Sequence, residues 1–154
     1  MVYIASIFLY NAELWSLTET KEKQIDAFQR KLLRRAINVK YPKIIKNDKL
    51  YTITKVEPWS KVIKIRRHNF FGHVLRLHPD TPVQRALREA VTPSHNKKPG
   101  RPHSNWIATL RRDLDEILGT KNHTDEKFLA TAQNLAQNRR FWREIHRKQL
   151  GSQT

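Results

Sequence analysis

The chain has 154 residues, enough for one domain or two small ones, and 38% of them are hydrophobic, below the globular average. It carries 30 Lys+Arg against 14 Asp+Glu, a net charge of +16, and this excess of like charge calls for a polyanionic partner: nucleic acid first, an anionic membrane surface second. It has no cysteine, which excludes disulfides, thiolate zinc sites and cysteine nucleophiles.

The apolar run Val2 to Tyr10 lacks a basic flank and is too short to span a bilayer, so it reads as the start of a helix over Tyr3 to Leu17. Thr18 or Thr20 caps a second helix, with Glu19 and Glu22 in its first turn. Ile25, Phe28, Leu32, Leu33 and Ala36 share one face of it; Lys23, Arg30 and Arg34 fall opposite. Tyr41-Pro42 breaks the pattern, and Asn47 caps a short helix through Leu50 and Ile53. Pro58 opens a long helix from Trp59 to about Leu77, stopped by His78-Pro79. Thr81-Pro82 starts a short one to about Ala90. Residues 91–104 hold three prolines and a glycine and read as an extended basic linker. Asn105 or Ser104 caps the next helix, which Gly119 ends, and Thr124 opens a last helical stretch reaching Ile145. The expectation is an all-α bundle of six to seven helices, divided into segments 1–56, 57–90, 91–104 and 105–150. No β-alternation competes with it.

Four blocks of sequence resemble, in order, the region that follows the polymerase core in LINE-type (non-LTR) retrotransposon reverse transcriptases. Tyr10, Glu13 and Trp15 match a Tyr-x-x-Glu-x-Trp helix, and Leu33-Arg34-Arg35 the Leu-Arg-Arg end of the next. Arg66-Arg67 and Phe71-Gly72-His73-Val74-Leu75-Arg76 match an Arg-Arg…Phe-Gly-His block. Gly100-Arg101-Pro102 with Trp106, and Asn138-Arg139 with Trp142, complete the set. The resemblance implies a thumb-like segment over 1–56, nucleic acid (RNA, DNA or a hybrid) and a polymerase core as partners, and the nucleus as location. It implies no catalysis in this chain, because the family's paired metal-binding aspartates have no counterpart: no Asp-Asp pair occurs.

Cations in rows on helices follow the repeating phosphates of a backbone. Lys23, Arg30, Arg34 and Arg35 are such candidates on the second helix, against the alternative of an ordinary solvated face. On the long helix, Trp59, Val62, Ile63, Phe70, Val74 and Leu77 form a stripe. Arg66 and His73 lie in or beside it, while Lys61, Lys64 and His68 point away. Arg66, Arg67, His73, Arg76, Lys61 and Lys64 are candidate contacts; the competing reading is a structural pair with a carboxylate such as Glu57, or a core histidine. Gly72 costs this helix about 1 kcal/mol relative to Ala, so it implies close approach of another helix or of a nucleic-acid strand. Lys97, Lys98 and Arg101 sit in a stretch similar to an AT-hook core, or in a plain basic linker.

No cofactor or metal is expected. His68, His73 and His78 are five apart, not the i, i+4 of helical zinc ligands. Asp113, Asp115 and Glu116 read as partners of Arg111 and Arg112 in surface ion pairs. The four tryptophans, each among apolar residues at helical spacing, are expected to be core anchors. The leading function is nucleic-acid binding without catalysis; the alternative is a helical protein-interaction module docking to an acidic partner.

Overall fold

The computed structural model describes residues 2–40, 42–91, 105–118 and 125–151, all with side chains except 2, 117–118, 125–126 and 146–151. Within them the chain is all-α: α1 (Val2–Phe8), a 3-10 turn (Ala12–Leu14), α2 (Glu19–Ala36), α3 (Asn47–Thr54), α4 (Trp59–Leu75), α5 (Pro82–Val91), α6 (Trp106–Leu118), α7 (Asp125–Gln137) and α8 (Arg139–Gly151). The linker expected over 91–104, the stop at Gly119 and the cap at Thr124 fall outside the described residues, apart from Val91 itself, which closes α5.

Local chemistry explains most boundaries. Thr18 Oγ1 accepts from the Lys21 amide (3.4 Å), and Asn105 Oδ1 from the Ala108 amide (2.6 Å), each satisfying a first-turn donor. The first helix is shorter than its apolar run. It ends at Phe8, and Asn11 sits in the left-handed region (φ 52°), a conformation that Asn tolerates better than most side chains. Asn47 does not cap α3; Lys46 holds the cap position, and the Asn47 amide oxygen accepts from Arg34 Nη2 (2.7 Å). Thr81 likewise turns back, its hydroxyl donating to the His78 carbonyl (2.8 Å). The last stretch is two helices rather than one. Asn138 breaks it and caps α8, accepting from the Phe141 amide (3.0 Å), which brings the described helices to eight.

α4 is the common wall of two cores. Its N-terminal half supplies Trp59 and Ile63 to a cluster with Leu9, Ala12 and Leu17, against which Phe8, Trp15, Ile25 and Leu32 pack. Phe8 stacks on Trp59 with centroids 4.8 Å apart. Its C-terminal half supplies Phe71, Val74 and Leu75 to a larger cluster with Leu87, Ile107, Leu110, Leu114, Phe128, Ala132 and Trp142. All four tryptophans belong to these clusters: Trp59 and Trp142 are buried, while Trp15 and Trp106 are half-buried against them. The Trp106 indole also donates to the Glu13 carbonyl (2.8 Å), tying the cores together.

Gly72 lies where α4 meets α8. A Cβ there would stand 2.7 Å from Cε2 and 2.9 Å from Cδ1 of the Trp142 indole. The close neighbour is thus a helix of the same chain, and the low helix propensity of glycine is offset by what its missing side chain admits.

Candidate nucleic-acid interface

The basic residues separate into those already engaged inside the protein and those left with their charge uncompensated. Arg67 is corrected from a candidate contact to an interior residue. It is 0% exposed, and its Nη1 meets Asp113 Oδ2 at 2.5 Å. His68, expected to point away, is also 0% exposed, with Nε2 3.9 Å from the same carboxylate. The physical reason is that α4 is covered by α2, α6, α7 and α8 at once, so one apolar stripe does not describe its buried surface. Asp113 is corrected with it. It is no surface partner: it is 1% exposed and is shared between Arg67 and Arg112 (3.3 Å). A buried charge needs this kind of compensation, yet Nε and Nη2 of Arg67 find no acceptor among the described residues.

Other candidates are spent on neighbours. Lys64 bridges Glu116 (3.2 Å) and Glu22 (3.8 Å), and Arg112 reaches Glu22 at 2.8 Å, so Glu22 of α2 and Glu116 of α6 are joined in one ionic seam beside α4. Lys61 pairs with Glu57 (2.8 Å) and Lys23 with Glu19 (2.6 Å), both one helical turn apart. The Lys23 hydrogen bond and charge hold the Glu19 carboxyl below its usual range. Both pairs are solvent-facing on at least one side and leave their lysines open to exchange partners. Arg66 donates to the Leu9 carbonyl (3.0 Å), so the Glu57 pairing considered for it goes to Lys61 instead. His73 is exposed. Arg76 donates to the Ala136 carbonyl (3.0 Å) in the last turn of α7. Lys97, Lys98 and Arg101 lie outside the described residues.

What remains concentrates at the end of α2. From Arg30 to Lys49 the chain carries Arg30, Lys31, Arg34, Arg35, Lys40, Lys43, Lys46 and Lys49 against Asp48 alone. The last two turns of α2 and the strap that follows enclose an open groove of about 620 Å³, lined by Ala27, Lys31, Arg34, Arg35, Asn38, Val39 and Lys40. Asn38 shapes its rim. It adopts φ 55°, and the amides of Asn38 and Val39 close onto the Arg35 (3.2 Å) and Arg34 (2.9 Å) carbonyls, reversing the chain so that Lys40 returns beside the helix. Arg34 is held in place by the Ile45 carbonyl (3.3 Å) and Asn47, so it is a positioned cation rather than a swinging one. Arg30 is half-buried beside Tyr51, whose phenol burial pushes up. Lys31, Arg35 and Lys40 make no ion pair among the described residues and stand exposed.

Sequence reasoning therefore found Arg34 and Arg35 but not their partners in the groove. Lys31 and Lys40 are two more cations of a stretch, residues 21–40, that holds seven Lys and Arg, and nothing in that stretch shows that the chain folds back after Asn38. Among the described residues no group of three His, Asp or Glu could hold a metal ion, and no helix is long and apolar enough to cross a membrane. No family model, curated protein or solved structure matches this chain.

Proposed function

We propose that this chain is a nucleic-acid-binding, non-catalytic helical unit, similar to the region that follows the polymerase core of LINE-type reverse transcriptases. It grips the backbone of template, primer or target DNA in the groove at the end of α2. The observation that carries the reading is the uncompensated charge there: Lys31, Arg35 and Lys40 beside a pre-positioned Arg34, while the carboxylates nearby on α2 are committed elsewhere. Bringing cations together without anions is unfavourable, and phosphates that release their counterions on binding offset it. The parentage implies a polymerase core as neighbour and work in the nucleus.

A second reading, docking to an acidic protein, draws on a different surface. Tyr3 (85% exposed) and Ile7 (80%) on α1, with Tyr10 (74%) just after it, leave an apolar and uncovered surface, which suits a protein neighbour better than a phosphate backbone.

The test is duplex DNA binding by fluorescence anisotropy over a range of salt. Lys31→Gln/Arg35→Gln/Lys40→Gln, which leaves the intramolecular bonds of Arg34 alone, should lower the log–log salt slope by about 2.7, near 0.9 per lost phosphate contact. An unchanged slope in a variant with an unaltered circular dichroism spectrum refutes the groove as the contact.

A further inference from the structure

A second group of arginines lies far along the chain from the groove and shares no residue with it. Arg76 caps the C-terminus of α4, and its Nη1 donates to the carbonyl of Ala136 in the last turn of α7. Three residues after Ala136 the chain enters α8, whose direction is set by the Asn138 cap. The rotation of α8 is set by Trp142, which is 2% exposed and donates from Nε1 to the His68 carbonyl (3.0 Å) on α4.

With Trp142 turned inward, the remaining positions follow from about 100° per residue. Arg139 and Arg143, one turn apart, fall on the same flank of α8 within about 40° of each other. Arg140 falls nearly opposite Trp142, and there it pairs with Glu144 (3.2 Å). The first turn of α8 carries no acidic residue. Arg139 and Arg143 are exposed and make no ion pair among the described residues. Their charge reaches Arg76: burial first, then repulsion from Arg139 and Arg143, lowers the pKa of that guanidinium.

We infer that Arg76, Arg139 and Arg143 form a second phosphate-binding site, at the junction of α4, α7 and α8, that takes the backbone of a nucleic acid. Three guanidiniums at one junction with no ion pair among the described residues repel one another, and a phosphate accepting from their planar forks relieves that repulsion. Arg76 is the fixed member, anchored through Nη1; Arg139 and Arg143 close on the phosphate from α8. The site rests on the nucleic-acid reading above and adds a separate point of attachment, so the chain holds its ligand at two places.

The test uses the full chain with Lys31, Arg35 and Lys40 already changed to Gln, and a short DNA duplex as probe. This background should keep salt-dependent binding. Adding Arg139→Gln/Arg143→Gln should weaken it further and lower the slope by about 1.8, two contacts' worth. Arg139→Lys/Arg143→Lys should hold the slope while reducing affinity, since the charge remains and the fork is lost. Thermal unfolding without DNA should be unchanged or raised by the Gln pair, as repulsion is relieved. An unchanged slope with the Gln pair overturns the second site while leaving the groove standing. A slope that responds to the Gln pair but not to the groove changes supports the site and refutes the groove. A wild-type chain with no salt-dependent duplex binding overturns both, as does one that binds an acidic peptide through these arginines in place of duplex.

Discussion

Gly72→Ala is a substitution whose sign depends on one contact. In an exposed helix it would stabilise by about 1 kcal/mol. Here the new methyl would overlap the Trp142 indole, 2.7 Å from Cε2. Ordinary carbon contacts need roughly 3.5 Å or more, so the ring must retreat by about 1 Å. It has little room, being 2% exposed, and its Nε1 is bonded to the His68 carbonyl one turn before the substitution. Overpacking a filled core costs about 1–3 kcal/mol, and stranding a buried indole donor about 1–3 more. Subtracting the propensity gain leaves a net loss of about 1–5 kcal/mol, centred near 3. For a chain of this length that lowers Tm by about 6–12 °C. Chemical and thermal unfolding measure it, and a Trp142→Leu background supplies the control: with the indole gone, Gly72→Ala should lose most of its penalty. Gly72→Ala unfolding at or above the wild-type temperature would refute the contact as the reason for the glycine.

Two further outcomes follow from buried groups. Arg67→Met alone strands the Asp113 carboxylate and should destabilise by about 3–5 kcal/mol in urea unfolding. Arg67→Met/Asp113→Leu should recover that loss or exceed wild type, because two Arg67 nitrogens already lack acceptors; a double-variant loss equal to the sum of the two single losses would show that the pair is not coupled. Burial raises the Tyr51 pKa above its ordinary value near 10. A raised folded pKa means that the associated stability is full below about pH 10 and is lost as pH climbs through the folded value. Phenolate absorbance, with Tyr51→Phe as the difference, should show Tyr51 ionising above the ordinary range of a free phenol, and Tyr51→Phe should delay alkaline unfolding; a Tyr51 phenol that ionises in the ordinary range would contradict this.

The helix starts were legible because they are local events. Thr18, Asn105 and Pro58 act within one turn of themselves, so sequence alone places α2, α6 and α4. Asn138 was the exception: apolar residues at helical spacing continue across it, and only its side-chain bond to the Phe141 amide marks the break. The candidate site was less legible. Arg67 and Asp113 are 46 positions apart, and nothing local to either announces the other. A basic residue that ends in a core and one that faces solvent look alike until its helix acquires neighbours on several sides, as α4 does. The groove depends on a reversal at Asn38, where a left-handed residue follows a regular helix without a glycine to signal it.

The ties between the first and last parts of the chain bear on how the protein is made. The Trp106 indole reaches Glu13 across 93 positions, and Arg112 reaches Glu22 across 90. As the chain leaves the ribosome from its N-terminus, α1, α2 and the front of α4 emerge with an unfilled indole seat and a carboxylate still waiting for its guanidinium. Assembly of the finished fold is then set by closure of a long loop rather than by helix formation, which takes place orders of magnitude faster. The N-terminal core closes on its own residues, the last of them Ile63, but the Glu13 carbonyl and the Glu22 carboxylate receive Trp106 and Arg112 only when α6 arrives.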